Sequence, residues 1–294
     1  MTSPAALGTV LGTGLGRRRP QGPTDADLLF DAPGPRTRRR ILWTSILVSA
    51  VLVALVALAL YQAHLAGQLA YPKWRYFLGR STVAFLLSAL RDTLIAASIA
   101  ALISFPLGVL LGWIRLARST AVRLVVGTWI DAMRAIPMLL LIYFFLLAVP
   151  PLTGYTLPTM WMLVVPIIMC SSATTAEVFR AGVLALDKGQ SEAAQALGMS
   201  RGQTMRLILA PQALRLMLPT LITQLVTILK DTSLGYVVAY NELMYAGRRL
   251  ETFARSEYRL DIYLQTYLVI ALIYLLANWA LGVLARKVEA RTRA

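Results

Sequence analysis

The amino-acid sequence predicts an all-α, polytopic membrane protein with about six transmembrane helices. Composition, run length and charge placement predict it. Of 294 residues, 57% are hydrophobic and 15% charged, and the mean hydropathy is +0.64. A soluble core of this size does not hide that much apolar surface. The apolar residues fall in runs long enough to cross a bilayer at about 1.5 Å per residue. The net charge of +15 is carried by basic residues at the ends of those runs. Anionic headgroups and the positive-inside rule account for it there, so nucleic acid is not implied as a partner.

Residues 1–40 are rich in Gly, Pro, Arg and Thr and read as a disordered basic arm, with Arg17, Arg18 and Arg19 in one cluster and Arg36, Arg38, Arg39 and Arg40 in another. Residues 41–62 are nearly charge-free and form an N-terminal anchor. They are too long and too far along the chain for a secretory leader. Residues 63–84 read as an outer-surface segment, with aromatic residues suited to an interfacial helix. Further spans are expected at 93–114, 125–149, 160–182, 217–240 and 262–284. The span at 93–114 holds Ser104, Gly108 and Gly112 at four-residue spacing, which admits a close helix neighbour. Pro106 is expected to kink it.

Basic residues orient the spans. One side carries the arm, then Arg115, Arg118 and Arg123, then Arg180, Lys188, Arg201, Arg206 and Arg215, and finally Arg286, Lys287, Arg291 and Arg293. The other side carries fewer, among them Lys73, Arg75, Arg80, Arg91, Arg248, Arg249, Arg255 and Arg259. The rule places both termini in the cytoplasm.

The cytoplasmic stretch KGQSEAAQALGMSRGQTMRLILAPQALRLMLP, residues 188–219, is the most regular polar insert. Ser191 is placed to cap a short helix of strong helix formers, Glu192 to Leu197. Gly198 follows where a left-handed cap ends a helix. Ser200 and Gln203 have capping-box spacing, and Pro211 is expected to stop the second helix.

Glu192-Ala193-Ala194, Gly198, Ile208, Ala210 and Pro211 resemble the Glu-Ala-Ala loop of permease subunits of ABC importers, with Ala210 where that family has Leu. Around it, residues 88–118, RAIP at 134–137, AEVFRAGV at 176–183, PQALRLMLP at 211–219 and KDTSL at 230–234 are similar to polar amino-acid permeases of the histidine, glutamine and glutamate type. The likeness covers about residues 85–290, which the resemblance makes the permease domain, with the coupling loop at 188–211. It implies a five-helix type I importer core behind the extra anchor. It also implies that Glu192, Ala193, Ala194 and Gly198 form the coupling helix that seats in a cytoplasmic ATPase.

The implied partners are an ABC ATPase dimer, a second permease subunit (the same or a related chain) and an extracytoplasmic substrate-binding protein. The implied location is the bacterial inner membrane, and the cargo a polar amino acid, glutamate or glutamine first. ATP and Mg belong to the ATPase. This chain has no G-x-x-x-x-G-K-[ST] loop, and neither its single His64 nor its single Cys170 has metal-ligand spacing.

Ionisable residues inside a membrane are costly and point to function. Asp131 and Arg134, like Glu177 and Arg180, stand three residues apart and can pair on one helix face, as structural ion pairs or as an inner gate. Polar residues nearer the midplane are Ser171, Ser172, Thr174 and Thr175 in one span and Thr223, Gln224, Thr227, Lys230, Asp231, Thr232 and Ser233 in another. Of these, Thr174, Thr175, Glu177, Thr227, Lys230, Asp231, Thr232 and Ser233 are the expected path residues, with interhelical hydrogen bonding as the alternative. Thr174 stands where the family commonly has Tyr, and Ala135-Ile136 where it has Gly-Thr; both departures bear on which amino acid is carried.

Two other functions are weighed. A secondary transporter or channel does not need the coupling loop and is expected to show inverted-repeat halves in its hydropathy. A membrane-embedded enzyme needs a convergent catalytic set of His, Cys or carboxylates.

Overall fold

The computed structural model describes residues 34–293. It falls into two units, one ending at Leu65 and the other beginning at Ala66. Most of the expected arm, including Arg17, Arg18 and Arg19, lies outside the described residues. The first unit is α1, Pro35–Leu65. It starts inside the stretch expected as arm, so Arg36 to Arg40 belong to its first turns. Proline suits a first helical turn, where its missing N–H has no partner to lose, and nothing after it breaks a helix.

The second unit opens with α2, Tyr71–Arg75, and a 3₁₀ turn, Tyr76–Leu78. Then comes α3, Arg80–Arg115, which begins well before residue 93, where hydropathy places its start. The polar residues Arg80, Ser81, Thr82, Arg91 and Asp92 lower the local hydropathy. Even so, this end packs, with Leu86 and Ala89 buried. Among the described residues, five helices are long and apolar enough to cross a membrane, and a bent pair makes up to six.

The span expected at 125–149 is a bent pair. α4, Thr120–Ala135, stops before Pro137, and α5, Met138–Tyr143, begins after it. α4 and the limb Met138–Thr153, which α5 opens, meet at 98°. Ile136 is extended, with φ −76° and ψ 127°, because a residue before proline is pushed out of the helical region.

Two π-helical segments lie just ahead of prolines. Phe144–Ala148 precedes α6, Val149–Thr153, with Pro150 and Pro151. Met205–Leu209 precedes Pro211. A wider turn accommodates the proline ring and its missing N–H. Hence Pro211 does not stop the helix: residues 201–238 form one span.

The centre of the unit is α3 against α7, Thr159–Leu184. Ala96, Ala97, Ala100 and Ala101 of α3 pack on Leu163, Val164, Ile167 and Ile168 of α7. Below them the small-residue stripe works by absence of side chain. A Cβ at Gly108 would lie 2.4 Å from Thr175 Cβ, and one at Gly112 would lie 2.5 Å from the Ala176 carbonyl.

After α7 come α8, Lys188–Ala196, and α9, Arg201–Thr204. The Met205–Leu209 π segment leads into α10, Ala210–Asp231, and a 3₁₀ run, Thr232–Val238. Then follow α11, Leu243–Tyr258, and α12, Tyr263–Arg293. α11 falls in a segment read only as a charged outer loop. It is amphipathic, burying Leu243, Ala246, Gly247, Leu250, Glu251 and Ala254 at helical spacing, while Arg248, Arg249 and Arg255 face out.

Candidate functional site

α8 is a short helix fixed by local bonds at both ends. Asp187, not Ser191, caps it, accepting from the Gly189 N–H at 2.7 Å. Ser191 sits inside the first turn and donates to the Lys188 carbonyl. The helix therefore starts four residues earlier than expected. At its other end Gly198 has φ +77°. Its N–H donates to the Gln195 carbonyl, and the Met199 N–H reaches back to the Ala194 carbonyl. These paired bonds are a Schellman stop, which needs a left-handed residue. Two residues on, Ser200 and Gln203 close the expected capping box.

One face of α8 points inward at Ala194, 1% exposed, while Glu192, Ala193 and Ala196 are exposed and Leu197 is 82% exposed. Gln212 on α10 donates to Gln190 on α8 at 3.4 Å. The result is a braced knob on which exposed Ala193, Ala196 and Leu197 stand among the exposed polar residues Lys188, Gln190, Glu192 and Gln195.

Next to this end lies a charge network that the expected pairs only outline. Asp131 and Arg134 approach to 4.0 Å, and Arg180 Nη2 donates to Glu177 Oε1 at 2.5 Å. The joint between them is Arg115, the last residue of α3. Its Nη1 and Nη2 donate to both carboxylate oxygens of Asp131, at 3.1 and 3.0 Å, and Nη1 also donates to Glu177 Oε2 at 3.0 Å. One guanidinium thus ties α3, α4 and α7. In the sequence Arg115 was legible only as an orienting charge; because Asp131 and Glu177 each had a partner three residues away, nothing there pointed to a third cation between them.

The expected path residues divide. Thr223, Thr227 and Lys230 are exposed on α10, at i, i+4 and i+7, so one helix face carries a polar stripe through an apolar span. Asp231 and Ser233 are half-buried beside it. On α7, Thr174 is half-buried and donates to the Cys170 carbonyl. Thr175 and Thr232 are turned into the subunit and line no open face, contrary to expectation. Thr175 is packed over Gly108, and the Thr232 hydroxyl donates to the Leu229 carbonyl at 2.6 Å. Ser171 and Ser172 are buried as well. Helical rotation of about 100° per residue separates these neighbours, and hydropathy does not reveal which face meets α3.

At the opposite end of α10, Glu242 is fully buried and caps α11. Its carboxylate accepts from the Met244 and Tyr245 N–H groups at 2.7 Å and from the Tyr274 hydroxyl at 3.1 Å. Burial pushes its pKa up to about 7, against the lowering effect of these donors. Nearby, Asn241 donates to Asp92, and the Leu243 N–H donates to Thr93. These bonds staple the start of α11 to α3 and α12.

An all-helical polytopic subunit with a braced polar turn at one end and a polar stripe through an apolar helix is a membrane transport component. Residues 104–294 match the family described as "binding-protein-dependent transport system inner membrane component", and the chain belongs to that family. It is 34% identical to the probable glutamine ABC transporter permease protein GlnP of Bacillus subtilis, over 71% of this chain and 94% of that protein. It is 35% identical to the glutamate transport system permease protein GluD of Corynebacterium glutamicum, over 78% of this chain and 82% of the relative. A crystal structure of an amino acid ABC transporter superposes with a TM-score of 0.65 at 26% identity, covering 72% of this chain and 95% of that one.

Proposed function

We propose that the chain is the permease subunit of an ABC importer that moves a polar amino acid, glutamate or glutamine first, into the cytoplasm. Family membership and the named relatives support the class of cargo. The observation that carries the mechanism is α8. Its Schellman stop and its Asp187 cap hold Ala193, Ala196 and Leu197 outward as a rigid plug. A plug that presents Ala193, Ala196 and Leu197 suits insertion into a socket on another protein, with Glu192 exposed midway along the helix as its acidic group.

In this reading α8 faces the cytoplasm and meets an ABC ATPase, which binds ATP and Mg, and both termini are cytoplasmic. A binding protein delivers substrate at the α11 end. A second permease copy or a related chain faces the stripe of Thr223, Thr227 and Lys230, with Thr174, Asp231 and Ser233 at its edge. The Arg115 network then closes the inner end of the path. A zwitterion passing the stripe meets an ammonium at Lys230 and a carboxyl at Asp231.

The test is uptake of labelled L-glutamate and L-glutamine into proteoliposomes holding the permease, its ATPase and the binding protein. Uptake should require ATP. Glu192→Lys and Gly198→Pro should abolish it while the subunit still inserts. Normal uptake in both variants would overturn the coupling role, and uptake without ATP would favour a secondary carrier.

A further inference from the structure

A second polar site lies at the end of the molecule opposite α8, between the 3₁₀ run after α10, the outward edge of α11 and the first turns of α12. It is a cavity of about 620 Å³ walled by Tyr236, Arg248, Glu251, Arg255, Tyr263 and Tyr267. Small-molecule sites commonly fall in the range of about 300–1,000 Å³. The rings of Tyr263 and Tyr267 lie 4.9 Å apart, inclined at 53°. They form one wall, and Tyr236 stands on another element.

The charges are arranged for a particular ligand. Glu251 is nearly buried and pairs with Arg255 at 3.2 Å; Arg255 also comes within 4.0 Å of Asp261. Among the described residues Arg248 takes part in no salt bridge, and it is exposed at the cavity wall. Two guanidiniums and one carboxylate among three phenol rings complement two carboxylates and one ammonium. Guanidinium takes carboxylate in a planar fork, and an ammonium is drawn to aromatic faces and to Glu251.

We infer that this cavity is an outer waiting site for an acidic amino acid, held by Arg248, Arg255, Glu251 and the Tyr263–Tyr267 wall before it enters the membrane path. The inference rests on the importer reading above, which puts this end outside. It adds a stop on the route that the α10 stripe does not contain. Glutamine, with one carboxylate fewer, binds it more weakly than glutamate.

The cavity is tested by a local probe. The chain has one cysteine, Cys170, so a Cys170→Ser background with Met244→Cys places a single thiol at the cavity lining. The permease–ATPase complex in nanodiscs, without binding protein, is labelled with a membrane-impermeant maleimide. L-Glutamate should slow labelling by about tenfold at ten times its dissociation constant, while L-lysine should not. Arg248→Gln should remove the protection, and Arg259→Gln, outside the cavity, should keep it. The same complex is then assayed for uptake with binding protein present. Uptake with no protection of the thiol by L-glutamate overturns the waiting site and leaves the importer reading standing. No uptake of any amino acid overturns the importer reading, and the waiting site with it.

Discussion

Arg115→Met severs three helices at their shared joint, and the size of the effect follows from how each partner is exposed. The Arg115 side chain is 18% exposed, Glu177 23% and Asp131 58%. Its two bonds to Asp131 have ideal fork geometry, but one partner is mostly in solvent, where an ion pair is worth up to about 1 kcal/mol. Its bond to Glu177 is sheltered on both sides. Charge-assisted bonds contribute about 1.5–3 kcal/mol, at the lower end here because Glu177 keeps Arg180 as a partner. The expected ordering is therefore a coupling of about 1.5 kcal/mol for Arg115 with Glu177 and about 0.5 kcal/mol for Arg115 with Asp131. Double-mutant cycles with Glu177→Gln and Asp131→Asn, read from unfolding midpoints in mixed SDS–detergent micelles, measure both. Equal couplings, or a larger one for Asp131, would refute the argument from burial. If the network closes the inner end of the path as proposed, Arg115→Met in proteoliposomes should also raise ATP hydrolysis that is not matched by uptake.

The remaining predictions concern other parts of the molecule. Gly108→Ala drives a Cβ into Thr175 and the Ser172 carbonyl and should cost about 1–3 kcal/mol by overpacking, whereas Gly202→Ala, with nothing within 4 Å, should be neutral or slightly stabilising in the same unfolding assay. Glu242 has its pKa raised from 4.5 to about 7, so the folded state holds that proton more tightly than the unfolded chain. Its contribution is complete below about pH 4.5 and is lost as pH rises through about 7; Glu242→Gln should flatten thermal stability over that window, and an unchanged profile would remove Glu242 as the cause. Lys230→Met should weaken uptake with little loss of membrane abundance if Lys230 attracts a passing carboxylate; recovery of both uptake and abundance in Lys230→Met with Asp231→Leu would show a structural pair instead. Deleting residues 1–34 should leave uptake near wild type, since the family match begins at residue 104; a severe defect in normally abundant protein would give the arm a role.

The sequence by itself determined whatever depends on a few consecutive residues. Run length and hydropathy located the spans because a bilayer tests each apolar segment separately. Gly198 and the Ser200–Gln203 box were legible because a cap is made within five or six residues. The choice of Asp187 over Ser191 was not legible, since both types cap and the backbone entering α8 decides between them. Nor was the break at Pro137, because a proline within an apolar run is also compatible with a kinked but continuous span. Pro106 lies inside the continuous helix α3.

Only the tertiary structure decided which faces meet. Thr174 and Thr175 are neighbours in the chain, yet one is half-buried and the other is shut against Gly108. α11 was read as a charged loop because its apolar residues are spaced for burial against α3 and α12, partners distant in sequence. Arg115 meets Glu177 across 62 positions. A guanidinium reaches whatever helix packing brings within about 3 Å, and that packing was set here by small residues that let α3 and α7 close on each other. Charge type and spacing can be read along a chain, but the distance between two helices is a property of how their surfaces fit.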